Sequence, residues 1–131
     1  MTISSKQRRQ IKVDDVSYLW WVTEDLEDEF IGTATLTVCS LDKRLLVRYG
    51  LVQPDDSRYV VVLGARFQGL PDSPGPWRRF RSPQFGSNVM VTPKDVAELI
   101  RWCTDVAGHA VAVDYRGVPL FAESQHQSSQ T

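Results

Sequence analysis

The sequence has little of what would identify a reaction. Its 131 residues include two cysteines and two histidines, and 15 basic against 16 acidic residues leave a net charge of −1. The cysteines, Cys39 and Cys103, form no paired metal motif, so we predict reduced thiols, no metal site and no cofactor. A chain without net positive charge also lacks the field of a general nucleic-acid binder.

Long apolar runs are missing as well. The most apolar runs, residues 19–22 and 60–63, fall far short of the roughly 20 residues that span a bilayer. No apolar stretch follows the basic residues near Met1, so we expect no secretory signal and a soluble, cytoplasmic protein. The composition, 42% hydrophobic and 24% charged, is typical of a globular chain. We predict one domain over residues 1–131, with loose polar termini at 1–9 and 125–131.

The chain does contain a series of strand patterns. Residues 10–13, 17–23, 33–40, 44–49, 58–63, 77–81 and 110–115 are rich in β-branched and aromatic residues or alternate between apolar and polar. The pair Asp14 and Asp15 is a predicted turn after the first of these segments. Residues 33–49 form a predicted hairpin that turns at Asp42 and Lys43. Residues 58–63 are apolar on both faces, which is typical of a central strand.

One helix is predicted, from Thr92 to residue 107. Its apolar residues fall on one face at helical spacing: Val96, Leu99, Ile100, Cys103 and Ala107. Pro93 follows the cap position and Asp95 lies three residues after it, as in a capping box, and Gly108 would end the helix. One helix among several strands, without regular β–α alternation, predicts a single α+β domain. We expect a twisted antiparallel sheet with the helix across one face and a final strand after it. The other face would close into a half-barrel, be covered by residues 64–91, or meet another subunit.

Several of these segments carry a family resemblance. They are residues 18–22, 42–49, 59–64, 77–81, 92–96 and 100–103. Together they resemble small uncharacterised bacterial proteins that are carried on accessory or mobile, integron-type gene cassettes. The resemblance covers residues 18–103. It implies a bacterial cytoplasmic protein of unknown activity and transfers no site residue.

The strongest local signal runs from Trp77 through Arg78, Arg79 and Phe80 to Arg81. On a strand, Arg79 and Arg81 share a face with Trp77, whereas Arg78 and Phe80 share the other. Guanidinium groups beside an aromatic ring suit an acidic or phosphate ligand, or single-stranded nucleic acid. The low net charge argues against nucleic acid. The alternative is that the arginine stems only cover Trp77.

Two further features are candidates for an interface. Trp20 and Trp21 point to opposite faces of one strand, so only one can lie in the helix-packed core, and the other suits an interface or a ligand pocket. An acidic run begins with Glu24 and Asp25. We interpret it as a solvated loop, because it lacks the glycine bend of a calcium loop. Its charge is opposite to that of Arg78, so the two could meet across subunits.

Catalytic residues are scarce. Cys39, His109 and Asp114 are the formal candidates for a nucleophile, base and orienting acid, but no catalytic motif marks them. Cys103 lies on the apolar face of the predicted helix, as expected of an inert thiol.

We therefore predict a non-catalytic binding protein that forms a homodimer through a face or edge of its sheet. The predicted interface residues are Trp20, Trp21, Glu24, Asp25 and Arg78. The alternative is a binder of a small anionic ligand in an aromatic-lined cavity, with Trp20, Trp21, Trp77, Arg79 and Arg81 as site residues. A small hydrolase built on Cys39 and His109 is a third, more distant hypothesis.

Overall fold

The computed structural model describes residues 8–24, 34–64, 78–87, 90–106, 111–114 and 116–119. Its strands are β1 (Arg9–Val13), β2 (Val16–Glu24), β3 (Ala34–Ser40), β4 (Leu46–Gly50), β5 (Tyr59–Leu63), β6 (Arg78–Arg81) and β7 (Ala112–Val113). A helix, α1 (Pro93–Arg101), continues into a π-helical turn, Trp102–Val106. These elements confirm the predicted α+β fold.

The seven strands form one antiparallel sheet in the order of the sequence. Each strand pairs with the strand before it and the strand after it, from β1 beside β2 to β6 beside β7. β1 and β7 are the two edges, so the sheet is open. An isolated bridge between Val113 and Pro119 extends the β7 edge.

The first turn is a tight two-residue hairpin loop. Asp14 and Asp15 have φ angles of 51° and 67°, and Val13 lies directly opposite Val16. Positive φ at both central residues is the mark of a type I′ turn, whose twist matches that of paired strands. The predicted turn between residues 13 and 16 is thus present.

The main core lies between the sheet and α1. Alternate strand residues face the helix, and those with 5% exposure or less include Tyr18, Trp20, Leu36, Val38, Val47, Tyr49, Val60, Val62 and Phe80. From the helix come Val96, Leu99 and Ile100, followed by Cys103 in the π-helical turn. This is the apolar stripe predicted from the helical spacing. β5 is buried on both faces, as expected for a central strand.

The start of α1 follows the predicted capping box. The Thr92 hydroxyl accepts a hydrogen bond from the Asp95 backbone N–H, and the Asp95 carboxylate accepts one from the Thr92 N–H at 2.9 Å. Pro93 takes the first helical position, where its missing N–H costs nothing. The predicted helix end at residues 107 and 108 lies outside the described residues.

The face opposite α1 is more buried than its polar pattern suggests. Thr35 and Thr37 on β3 are 0% and 5% exposed, although alternation places them away from the helix. A second, smaller cluster on this face contains Tyr59, Val61 and Val113. Beside these residues lies a half-buried apolar row of Leu19, Cys39, Leu46 and Leu63.

Some predictions fall outside the described residues. They are the loose termini apart from residues 8 and 9, the acidic run after Glu24, the proline-rich loop at 70–76, Trp77, His109 and most of the predicted strand at 110–115.

Candidate binding surfaces of the sheet

The tryptophan pair divides between the two faces of β2, as predicted. Trp20 is 5% exposed and belongs to the core beneath α1, whereas Trp21 is half-buried on the opposite face. The Arg8 guanidinium lies 4.4 Å from the centre of the Trp21 ring, and the Arg9 guanidinium lies 5.5 Å from that of Trp20. Cation–π contacts of this kind tie the start of β1 to the next strand. Trp21 is therefore the tryptophan that offers surface.

Arginines collect on the face opposite α1. Arg48 on β4 and Arg79 on β6 both lie directly opposite Val61 of β5, which places their Cα atoms about 10 Å apart. Arg81, two residues from Arg79, shares this face. The strands place no acidic side chain here, whereas Lys12 of β1 adds another positive charge. Within the described strands, the face is therefore cationic in a chain whose net charge is −1.

The three arginines of β6 have different environments. Arg79 is half-buried between Val61 and Val113, the residues opposite it on the two neighbouring strands. Arg81 donates a hydrogen bond from Nη2 to the Gly117 carbonyl at 3.1 Å, which ties β6 to the turn after β7. Arg78 is exposed and lies on the helix side with Phe80. The alternation predicted for this segment is confirmed from Arg78 to Arg81, whereas Trp77 lies outside the described residues. Arg81 has a structural role.

The predicted contact between the acidic run and Arg78 cannot be placed. Glu24 is the last residue of β2, opposite Ala34, and its side chain is not among those described. Asp25 lies outside the described residues. An interface between the acidic run and Arg78 therefore stays a prediction.

The thiol of Cys39 is in a poor environment for a nucleophile. Burial raises the pKa of Cys39 above its ordinary value, although Lys43 and Arg8 oppose that effect. Its Sγ lies 3.3 Å from the Ser40 carbonyl, to which the thiol donates. A raised pKa keeps the thiol protonated at neutral pH, whereas nucleophilic cysteines are thiolates.

The carboxylate of Asp114 is hydrogen-bonded within its own turn. It accepts hydrogen bonds from the backbone N–H groups of Val118 and Arg116 at 3.0 and 2.8 Å, and from the Arg116 guanidinium at 2.9 Å. The Val118 N–H bond is the main cause of the lowered pKa of Asp114, and the bonds from Arg116 add to it. His109 lies outside the described residues, so the Cys39–His109–Asp114 set remains untested.

The sequence patterns do not predict the buried network around Arg58. Arg58 is 3% exposed and donates to the Tyr49 hydroxyl at 2.8 Å, to the Gln53 carbonyl at 3.0 Å and to Asp55 at 3.1 Å. The Tyr49 hydroxyl also accepts the Phe85 backbone N–H at 2.9 Å. The one signal in the sequence was an arginine at the start of an apolar strand, just after two aspartates. This network connects β4, β5 and the segment before α1, and it is structural.

β1 is an edge strand of the described sheet, and most of its side chains are exposed. Gln10 and Lys12 are both exposed, as are the basic Arg8 and Arg9 before them and the acidic turn after them. Because Val13 and Val16 flank a two-residue loop, they form a hydrogen-bonded pair. Every second residue from Val13 then points its backbone groups at β2, and those of Gln10 and Lys12 point outward.

Comparisons with protein-family models, with curated proteins and with solved structures find no match to this chain. Among the described residues, no helix is both long and apolar enough to cross a membrane. In the same part of the chain, no three His, Cys, Asp or Glu residues are grouped closely enough to hold a metal ion.

Proposed function

We propose that this chain is a non-catalytic, cytoplasmic interaction protein, of the kind carried on mobile bacterial gene cassettes, that self-associates through its sheet. One observation carries the proposal: α1 covers one face of the sheet, but β1 is an edge strand whose outer side has no partner strand among the described residues. An open edge is a template for pairing with another strand. The predicted homodimer would use that template or the adjacent face with Trp21.

Two features support an interaction role over a catalytic one. The raised pKa of Cys39 disfavours a thiolate, and the oxygens of Asp114 are used within a turn. A nucleophile needs activation by a base or by a lowered pKa. Exposed charges also lie along β1 and the turn that follows it, where they would influence association.

Light scattering of the purified chain tests self-association. We expect twice the monomer mass in about 0.1 M salt, where charges interact over roughly 10 Å. The measurement repeated in about 1 M salt separates a charge-dependent contact from an apolar one. A monomer at every protein concentration tested would overturn the proposal.

A second candidate function is the binding of a small anionic ligand on the face opposite α1. The supporting observation is the pair Arg48 and Arg79 on either side of Val61, with Arg81 on the same face and no acidic side chain from the described strands. Guanidinium groups bind phosphate and carboxylate with matched, often bidentate hydrogen bonds.

Calorimetric titration with inorganic phosphate and with citrate tests this second candidate. Binding that is lost in Arg79→Gln and retained in Arg78→Gln would support it, since the two arginines are neighbours on opposite faces. Absence of heat with both anions, or equal loss in both variants, would refute a site on this face.

A further inference from the structure

Charges are arranged asymmetrically along the exposed edge strand. Arg8 and Arg9 precede β1 or begin it, and Asp14 and Asp15 follow it, all four exposed. One end of the strand is thus basic and the other acidic. When such a strand pairs antiparallel with its own copy, each basic end meets an acidic end.

We infer that two copies of this chain pair antiparallel through β1, with Ile11 opposite Ile11 of the partner subunit. This inference rests on the proposed self-association and names its interface. A two-fold axis perpendicular to the sheet relates the copies, so the two sheets become one and both helices lie on the same side.

The outward backbone groups set which registers can form. Gln10 and Lys12 point away from β2, so Gln10 of one copy pairs with Lys12 of the partner subunit, and the reverse. About four backbone hydrogen bonds join the strands in this way. Shifting the register by one residue would place the outward backbone groups of one copy against residues of the partner whose backbone groups point inward. It would also turn the helix side of one sheet onto the opposite side of the other.

Charge then selects among the remaining registers. With Ile11 at the axis, Arg8 lies opposite Asp14 of the partner subunit. With Gln10 at the axis instead, Arg8 would lie opposite Lys12 of the partner subunit. With Lys12 at the axis, two lysines would face each other. Like charges directly opposite are destabilising, so the register centred on Ile11 is favoured.

The side chains on both faces suit this register. Ile11 is half-buried on the helix side, where an apolar neighbour from the other copy would cover the rest of it. On the opposite side, the Arg8 guanidinium lies 4.4 Å from the centre of the Trp21 ring. Trp21 is thus a positioning residue for the interface, because it reduces the freedom that Arg8 would lose on pairing.

Cysteine cross-linking tests the register directly. Residues that face each other in a non-hydrogen-bonded antiparallel pair have Cα atoms about 4.5 Å apart, within the range of a disulfide. We expect Ile11→Cys to form a covalent dimer under mild oxidation. In the matched control Lys12→Cys, the two Cα atoms would be about 8 Å apart, too far for a disulfide. The wild-type chain is the control for cross-linking through the native cysteines, Cys39 and Cys103.

Charge reversal provides the second test, and it does not depend on a substitution in a half-buried position. Arg8→Glu should raise the dimer dissociation constant about tenfold, because it creates two like-charge contacts per dimer. The comparison variant Arg78→Glu reverses the exposed charge that the alternative interface with the acidic run would use. Arg78 is on β6, five strands from β1, so pairing through β1 predicts an unchanged constant. Circular dichroism checks that every variant is folded.

The outcomes separate this inference from the proposed function. A cross-link in Ile11→Cys alone, with weakening in Arg8→Glu alone, supports pairing through β1. A wild-type dimer that Arg78→Glu weakens, and that Ile11→Cys does not cross-link, overturns the β1 interface but leaves self-association standing. A wild-type monomer overturns both. If Ile11→Cys does not fold, the two charge reversals decide the question alone.

Discussion

Removing the hydroxyl of Tyr49 should destabilise the protein strongly without leaving a cavity. Tyr49 is fully buried, and its hydroxyl oxygen accepts hydrogen bonds from Arg58 Nη1 at 2.8 Å and from the Phe85 N–H at 2.9 Å. In Tyr49→Phe the ring remains, and both donors lose an acceptor. Arg58 keeps its hydrogen bonds to the Gln53 carbonyl and to Asp55, so its charge still has two partners.

The size of the effect follows from the two unpaired donors. A buried donor left without a partner costs about 1–3 kcal/mol, and a hydrogen bond to a charged group is at the upper end of that range. We expect Tyr49→Phe to lower the free energy of unfolding by about 3 kcal/mol. For a chain of this length the melting temperature should fall by about 10 °C.

Urea denaturation and thermal circular dichroism measure this loss. The matched control is Thr35→Val, which also removes one buried hydroxyl. Thr35 Oγ1 has no hydrogen-bond partner in the described part of the chain, so its removal should stabilise the protein by about 1 kcal/mol. A loss below about 0.5 kcal/mol in Tyr49→Phe, or equal losses in both variants, would refute the reasoning from hydrogen-bond partners.

Three further predictions concern the helix start, one glycine and one thiol. Thr92→Ala removes the helix cap and should cost about 1–2 kcal/mol in urea denaturation, whereas Thr92→Ser should retain most of it. Gly64→Ala should abolish folding as judged by circular dichroism, since φ is +128° and an added Cβ would lie 2.2 Å from the Arg44 carbonyl oxygen. Burial raises the pKa of Cys103 well above its ordinary 9.0, so the unfolded chain ionises this thiol first. The stability from this shift is complete below about pH 9 and is lost as pH rises above it, and Cys103→Ala should reduce the fall between pH 8 and 10.

Local sequence patterns predicted most of the fold, because its cap, its strand faces and its first turn depend on residues that are close together in the sequence. The Thr92 cap, the alternation of Trp20 with Trp21 and the two-residue turn at Asp14 each depend on neighbouring residues alone. The π-helical turn after Arg101 was not predicted, because apolar spacing does not distinguish it from a regular helical turn.

The candidate surfaces were only partly predictable. Alternation placed Arg79 and Arg81 on one face, but Arg48 joined them only through the pairing of β4 with β5. The buried pair of Tyr49 and Arg58 also depends on that pairing. Likewise, a run of threonines predicts a polar strand face, but the burial of Thr35 depends on what the tertiary structure packs over it.

The order of the strands also affects how the chain would emerge from a ribosome. Once β5 is complete at Leu63, the first four strands have all their backbone partners within the chain already made, whereas β5 still lacks β6. Their apolar face is covered only once Val96, Leu99 and Ile100 have been translated. At 5–20 residues per second, that leaves a paired sheet with one uncovered face for roughly 2–8 s. During that interval the nascent sheet is a target for chaperones and for aggregation, although the finished protein buries most of the same residues.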